Sequence, residues 1–296
     1  MPVYAVPAPN DSPPLHVGPA AVRWARAAAS ALRLAPGLDP DLVRHGPEVG
    51  LVLGSGLGPL ADAIEGAVSV AFGDVPGMPA STAPGHAGRF VLGHLEGRRV
   101  VAMQGRLHAY EGYAAATCAY PVRVMHALGA ERLVVSNACG SLDPHWAAGD
   151  LMLQLDFINH TFDQALTGPA DGLAPRFPVT FDAYDPAYLE VARRAARRLD
   201  VTLREGVYLA IAGPAYATRA ELRMFRTWGA DAIGMSTVHE VIVAHSLGMR
   251  VLGVSAVTDR AVPEGVVHAT GDDVLAMAAQ VGDRFRALVR AVLPEL

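Results

Sequence analysis

The sequence predicts a single α/β domain in which helices cover both faces of a β-sheet. Short apolar segments alternate along the chain with helical patterns, as expected for strands joined by crossover helices. Most of the strand segments are apolar on both faces, which indicates a sheet that is buried on two sides. The chain has 296 residues, of which 51% are hydrophobic and 18% charged. Because no long polar linker and no internal repeat interrupts it, we expect one domain over residues 17–296.

The predicted elements run from a proline-rich tail to a long final helix. Residues 1–16 hold five prolines and no periodic pattern, which predicts a flexible tail. The alanine-rich stretch Ala20–Leu34 is helical and ends before Pro36 and Gly37. The predicted strands are Val49–Leu53, Phe90–Leu92, Arg99–Gln104, Leu133–Ser136, Leu151–Leu155, Gly206–Ile211, Ala232–Gly234 and Val251–Ala256. The other predicted helices are Ala115–Leu128, Pro186–Leu199, Arg219–Trp228, Thr237–Leu247 and Asp272–Leu293.

Composition excludes several classes of function. All 24 basic residues are arginine, so no lysine is available for a Schiff base or for a P-loop. A net charge of −5 disfavours nucleic acid as a partner, and no apolar run approaches the ~20 residues that span a bilayer. The two cysteines, Cys118 and Cys139, are too few for a disulfide framework. We therefore expect a reducing, cytoplasmic location without a membrane.

A glycine-rich loop follows the first predicted strand. In the segment 50–58, the glycines around Ser55 free backbone N–H groups at the start of a helix, which suits an anion. The loop lacks the lysine of a P-loop and the acidic residue that follows a dinucleotide-binding fingerprint. Taken alone, it fits a tight structural turn equally well.

A second cluster combines His86, Arg106 and His108 in glycine-flanked loops. Arg106 offers a planar fork for two oxygens, each histidine can donate a ring N–H, and Glu111 can orient His108. The spacing matches no metal motif, and Gly-Ser-Gly at Ser55 is not a nucleophile elbow. The cluster predicts an oxyanion site without metal.

Later strand ends add small, hydroxyl and acidic residues. The segment 136–141 is built of small residues that let a ligand approach, and 213–218 is a loop before a helix. Ser236 and Thr237 begin another helix, and Asp259 follows an apolar strand. Each feature alone fits a cap or a turn. Because ligands of α/β sheets bind at the carboxyl ends of strands, we expect the loops to form one site.

Four motifs in this order resemble the trimeric purine nucleoside phosphorylases, a family that includes the methylthioadenosine phosphorylases: Gly-Ser-Gly-Leu-Gly, Gly-His-Ala-Gly-Arg, Gly-Arg-Leu-His-Ala-Tyr-Glu-Gly-Tyr and Gly-Met-Ser-Thr-Val. The resemblance covers residues 50–260 and, more weakly, the last helix. It implies a three-layer α/β/α fold around a twisted mixed sheet, and a homotrimer. The implied reaction is phosphorolysis of purine nucleosides to free base and (deoxy)ribose 1-phosphate, with inorganic phosphate as co-substrate and no cofactor or metal.

The resemblance also implies roles for individual residues. His108 and Asp259 correspond to catalytic positions. Positions that match phosphate ligands are Ser55, His86, Arg106, His108, Ala138 through its N–H, and Ser236. Positions that match the nucleoside site are Tyr110, Tyr208, Tyr216, Ala217, Met235, Thr258, Asp259 and, lent to a neighbouring subunit, Phe162.

The base pocket departs from the family pattern. Ala217 stands where a glutamate holds 6-oxopurines, and Asp259 stands where an asparagine contacts N7 and O6. A carboxylate can accept a hydrogen bond from a 6-amino group and, when protonated, can donate one to N7. The oxygen of a 6-oxo group, in contrast, would face a carboxylate oxygen, and both atoms are acceptors. These two residues predict a preference for 6-aminopurines.

The 5′ side departs as well. Gly271 stands where the 6-oxopurine enzymes carry a histidine for the 5′-hydroxyl, with His268 as a nearby substitute. This leaves room for a 5′-deoxy or 5′-substituted ribose. The alternatives are conventional inosine and guanosine phosphorolysis, a silent nucleoside-binding relative and a hydrolase that uses water. The intact anion cluster argues against the last two.

Overall fold

The computed structural model describes residues 16–265 and 269–296, and its centre is a mixed β-sheet. The strands are β1 Val49–Leu53, β2 Glu65–Ala71, β3 Arg89–Leu95, β4 Arg98–Gln104, β5 Arg132–Ser141, β6 Leu151–His160, β7 Leu203–Ile211, β8 Ala232–Gly234 and β9 Arg250–Arg260. They are ordered β2-β3-β4-β1-β5-β8-β7-β6-β9, and β5 also pairs with β9, so this half of the sheet closes on itself. The predicted α/β fold with a mixed sheet is confirmed.

The helices pack in two groups against this sheet. They are α1 Gly18–Arg33, α2 Pro40–His45, α3 Ala115–Cys118, α4 Tyr120–Leu128, α5 Pro186–Arg198, α6 Arg219–Thr227, α7 Val238–Ser246 and α8 Gly271–Val292. Helix α4 packs against both α1 and α7, whereas α5 packs against α8. Fully buried valines and leucines of β1, β4 and β5 form the centre of the main core. Among the described residues, no helix is both long and apolar enough to cross a membrane.

Four details correct the sequence prediction. The edge strand β2 was missed although Val68 and Val70 alternate in it with small residues, the spacing of a strand with one covered face, and the short helix α2 was missed as well. The helix predicted over Ala115–Leu128 is two helices, which meet at Ala119 before Pro121. His16, placed in the flexible tail, is buried; its ring contacts Thr117 and the carbonyl oxygen of Gly77. The rest of the predicted tail lies outside the described residues.

The sheet topology brings four strand ends to one edge. Strands β4, β1, β5 and β9 are adjacent and parallel. Their carboxyl ends therefore lie side by side, the place where α/β sheets bind ligands. Arg106 follows β4, Ser55 follows β1, and Ala138 and Asp259 lie near the ends of β5 and β9.

Candidate active site

A cavity of about 280 Å³ opens at this edge of the sheet. Its lining brings together most of the predicted site residues: Ser55, Arg106, His108, Tyr110, Ala138, Tyr216, Ala217, Met235, Ser236, Thr258 and Asp259. Residues more than 200 positions apart thus meet in one site, as the strand-end argument predicted.

Ser55 is oriented by His86 rather than standing alone in its loop. The Nδ1 atom of His86 lies 2.9 Å from the backbone nitrogen of Arg106 and 3.0 Å from its carbonyl oxygen, and Nε2 lies 3.2 Å from the Ser55 Oγ. These contacts fit either tautomer of the ring. Burial, followed by the neighbouring His108, lowers the pKa of His86 to about 4, so this ring is neutral at pH 7. In either tautomer the ring fixes the position of the Ser55 hydroxyl.

Arg106 is the buried cation of the site. Its Nη1 donates to the carbonyl oxygen of Ser136 at 2.7 Å and to the Ser236 Oγ at 3.2 Å. The guanidinium lies over Gly54, where an added Cβ would sit 2.9 Å from Nη1 and 2.8 Å from the Ser136 oxygen. Only glycine leaves the room this close approach requires. Gly54 is therefore required for the position of Arg106 as well as for the turn.

The turn that presents Ser236 is strained. Thr237 has φ +73° and ψ −50°, and the N–H of Val238 donates to the carbonyl oxygen of Ser236 at 2.8 Å, which defines a γ-turn. Such a conformation in a β-branched residue persists only where its surroundings hold it. Asn137 supplies that support, because its Nδ2 donates to the Thr237 Oγ1 at 2.8 Å.

His108 forms a buried pair with Glu111. The Oε1 atom of Glu111 lies 2.9 Å from Nδ1 of His108 and accepts its backbone N–H at 2.8 Å. Burial lowers the pKa of His108 more than Glu111 raises it, so the ring is neutral with its proton on Nδ1. The expectation that His108 donates to an anion therefore needs revision. Its Nε2 offers a lone pair, and the ring stacks on Tyr110 with centroids 4.5 Å apart.

Asp259 enters the cavity through an irregularity in β9. The register against β5 shifts between Cys139, which faces Val257, and Gly140, which faces Asp259. The extra residue, Thr258, forms a bulge, so that Thr258 and Asp259 both line the cavity. The Thr258 hydroxyl lies 3.0 Å from Oδ1 of Asp259. A Cβ at Gly140 would sit 3.1 Å from this carboxylate, so the glycine makes room for it.

Three predicted residues do not line the cavity. His86 acts through Ser55, as described above. Tyr208 is fully buried behind Gly234, where a Cβ would lie 2.2 Å from the tyrosine hydroxyl, and its ring supports the cavity wall at that point. Phe162 is 89% exposed on the surface of this chain. The proposed substitute on the 5′ side, His268, lies outside the described residues.

Other residues of the site were missed by the sequence analysis. The most consequential is Glu240, whose carboxylate contacts Arg106. The sequence does show a single acidic residue within the mostly apolar helix α7, and a buried acid requires a partner of opposite charge. The cavity is also lined by Ile211, Leu222 and Ile233, which carry no motif, and by Asn137, Val274 and Leu275, which lie in stretches that the sequence analysis considered without assigning them a role.

Comparison with known proteins gives a consistent family assignment. The model of the phosphorylase superfamily matches residues 48–294. Purine nucleoside phosphorylase 1 of Bacillus subtilis is 46% identical over 250 residues, which cover 84% of this chain and 92% of the relative. The chain belongs to the purine nucleoside phosphorylases. The Bos taurus purine nucleoside phosphorylase is 42% identical over 259 residues, covering 84% of this chain and 90% of that one.

Solved structures of purine nucleoside phosphorylases share the fold. The Schistosoma mansoni purine nucleoside phosphorylase in complex with adenosine superimposes with a TM-score of 0.84 at 34% identity. The match covers 92% of this chain and 96% of that one. The enzyme described here is thus a phosphorylase that acts on purine nucleosides, with the family fold throughout.

The Glu111 carboxylate makes the stability of this purine nucleoside phosphorylase pH-dependent. Burial alone would raise its pKa, but hydrogen bonds from His108 and from the backbone and hydroxyl of Thr82 lower it to about 2, against an ordinary 4.5. The stability gained from the ionised carboxylate is present above about pH 4.5 and is lost as the pH falls toward 2.

We expect Glu111→Gln to flatten this acid limb. The amide binds no proton, so from about pH 5.5 to 3 the free energy of unfolding should fall by about 1–2 kcal/mol less than in the wild type. Urea unfolding at a series of pH values measures the difference. Parallel curves for the two proteins would show that Glu111 does not titrate below its ordinary pKa.

Proposed function

We propose that this phosphorylase prefers 6-aminopurine nucleosides and accepts modified 5′ positions. The observation that carries the proposal is the Asp259 carboxylate on the cavity wall, held there by the β9 bulge, with the small side chain of Ala217 lining the same cavity. Asp259 offers an acceptor to a 6-amino group, and Ala217 offers no contact to N1 and N2 of a 6-oxopurine. Purine nucleoside phosphorylase of Schistosoma mansoni has been solved in complex with adenosine and also in complex with inosine, so relatives with this fold bind both kinds of nucleoside.

In the proposed mechanism, phosphate lies between Arg106 and the hydroxyls of Ser55 and Ser236, with the N–H of Ala138 as a further donor. These groups place the anion beneath the C1′ atom of the sugar. As the glycosidic bond breaks through an oxocarbenium-like transition state, a phosphate oxygen forms the new bond to C1′ and gives the (deoxy)ribose 1-phosphate; the phosphate anion stabilises this state electrostatically. The neutral His108 accepts a hydrogen bond through Nε2, from a protonated phosphate oxygen or from a sugar hydroxyl. Protonated Asp259 donates its proton to N7 as the purine leaves, while its other oxygen accepts from the 6-amino group.

The 5′ side of the cavity supports the second half of the proposal. Its wall comes from the start of α8, where Gly271, Val274 and Leu275 line the cavity. A Cβ at Gly271 would meet nothing within 4 Å, and the two apolar side chains suit an apolar 5′ substituent better than a hydroxyl.

A product assay tests the proposal directly. Adenosine, inosine and 5′-methylthioadenosine are each incubated with the enzyme, with and without phosphate, and the free base is measured. We expect phosphate-dependent release of base from the two 6-amino substrates at least about tenfold faster than from inosine, because an acceptor–acceptor contact costs about 1–3 kcal/mol. Faster turnover of inosine would contradict the proposed preference. Release of base without phosphate would contradict phosphorolysis.

We also propose a homotrimer in which Phe162 reaches a neighbouring subunit. The segment between β6 and α5 exposes Phe162, Phe177, Val179 and Phe181 together, more apolar surface than one loop of a monomer normally leaves in water. The molar mass in solution, measured by light scattering, tests the assembly, and the mass of a single chain would contradict it.

We further propose that phosphate is the only co-reactant and that the enzyme works in the reducing cytoplasm. The polar groups that face the cavity are suited to anions and hydroxyls, and both cysteines are free and buried. Activity that survives treatment with a metal chelator supports the first statement, and its loss would contradict it.

A further inference from the structure

Glu240 is a buried carboxylate in the first turn of α7. It is 2% exposed, and its neighbours in the helix are the buried His239 and a run of valine, isoleucine and alanine. Burial raises its pKa, and the adjacent Arg106 opposes that shift. A carboxylate in such surroundings is strongly destabilising unless a cation and hydrogen bonds compensate it. Arg106, itself 1% exposed, provides both.

The guanidinium of Arg106 contacts the protein along one edge and lines the cavity at the other. Nε donates to Oε1 of Glu240 at 3.2 Å, and Nη2 lies 3.0 Å from Oε2. The two N–H bonds of Nη1 go to the carbonyl oxygen of Ser136 and to the Ser236 hydroxyl. Nη2 is ion-paired with Glu240 but has no hydrogen-bond partner among the described residues. Because Arg106 lines the cavity, Nη2 is the nitrogen that can donate to an anion there.

Glu240 and Ser236 hold Arg106 from the same short stretch of chain. The strained γ-turn at Thr237 separates them, with Asn137 supporting its hydroxyl. The turn therefore couples the position of the anion-facing hydroxyl to the position of the carboxylate. An arginine held on one edge in this way presents Nη2 in a fixed direction beside the Ser236 hydroxyl, and the two groups together favour two-point binding of an oxyanion.

We propose that Glu240 is a positioning residue for phosphate: it holds Arg106 in the orientation that binds the anion, and so sets the affinity for phosphate. The inference rests on the phosphate site of the proposed function. It assigns to Glu240 no contact with either substrate. We therefore expect Glu240 to affect phosphate binding more than turnover or nucleoside binding.

The test compares Glu240→Gln and Glu240→Asp with the wild type. Glutamine turns an N–H toward the guanidinium, and aspartate keeps the charge but is too short to reach both nitrogens. We expect both variants to raise the KM for phosphate by roughly tenfold, the effect of one charge-assisted hydrogen bond. The KM for nucleoside and kcat at saturating phosphate should change by less than about threefold. The rise in Tm that phosphate produces should shrink in both variants.

Asp171→Asn is the matched control. Asp171 pairs with Arg123, and the two side chains, 7% and 6% exposed, are nearly as buried as those of Glu240 and Arg106. Removing its charge should lower Tm without changing the KM for phosphate or the phosphate-induced rise in Tm.

Three outcomes can be told apart. If either Glu240 variant keeps or lowers the KM for phosphate, the positioning role is wrong; a lower KM in Glu240→Gln alone is what the loss of a negative charge would produce. If Glu240→Gln fails to fold, Glu240→Asp and its phosphate-induced shift in Tm decide in the same way. If the wild type itself shows neither phosphate-dependent cleavage nor a shift in Tm, the proposed phosphate site fails, and not the role of Glu240 alone.

Discussion

Arg106→Ala is expected to lower phosphate-dependent cleavage by about 10³-fold in kcat/KM for phosphate. The guanidinium is the buried cation that faces the cavity, and removing one partner of a buried, hydrogen-bonded charge pair costs about 2–5 kcal/mol. Each 1.36 kcal/mol corresponds to a factor of ten in rate. Ser55 and Ser236 remain as hydroxyl donors, but neither can supply the charge that a phosphate dianion requires.

The substitution also leaves Glu240 buried without its cation, so a loss of stability has to be separated from a loss of binding. The double variant Arg106→Met with Glu240→Gln removes both charges and fills similar volume, which should restore much of Tm. Its phosphorolysis should stay as low as that of Arg106→Ala. Initial rates across a range of phosphate concentrations, with Tm measured in parallel, provide the test. Unchanged phosphorolysis in the single variant would remove Arg106 from the phosphate site.

The sequence predicted the place of the site because that place depends on local signals. Each apolar strand could be found from its own residues; the glycines, Ser55 and Arg106 follow such strands directly, and Asp259 lies near the end of another. Once the strands are parallel neighbours, their ends must meet. The prediction failed where the apolar signal was short, as in β2, in which only Val68 and Val70 are partly buried.

Contacts between distant residues could not be predicted in the same way. Glu240 and Arg106 are 134 positions apart, and nothing in either motif specifies the other. Tyr208 occupies a position that the resemblance assigns to the ribose site, yet the bare backbone of Gly234 lets its hydroxyl pass behind the cavity wall. The bulge at Thr258 depends on the pairing of β9 with β5, which neither strand encodes alone.

Asp259→Asn is expected to shift the preference of the enzyme from adenosine toward inosine. The Thr258 hydroxyl lies 3.0 Å from Oδ1, and an asparagine that keeps this oxygen in place turns its Nδ2 group into the cavity. That group can donate to O6 of inosine, which in the wild type faces a carboxylate oxygen that can only accept. With adenosine, the same group faces the 6-amino group, and both are donors. An unmet polar contact of this kind costs about 1–3 kcal/mol, so the ratio of kcat/KM for adenosine over inosine should fall roughly 10- to 100-fold.

Asp259→Leu provides the matched control, because it removes every polar contact to the base while keeping a side chain of similar size. We expect it to slow both substrates without the gain in inosine turnover that asparagine brings. Adding Ala217→Glu to Asp259→Asn should extend that gain, since the new carboxylate can accept from N1–H of a 6-oxopurine and Ala217 lines the same cavity. Competition between the two nucleosides in one reaction gives the ratio directly. An unchanged ratio in Asp259→Asn would mean that the carboxylate does not contact the 6-position, and the preference would then have to arise from the shape of the pocket.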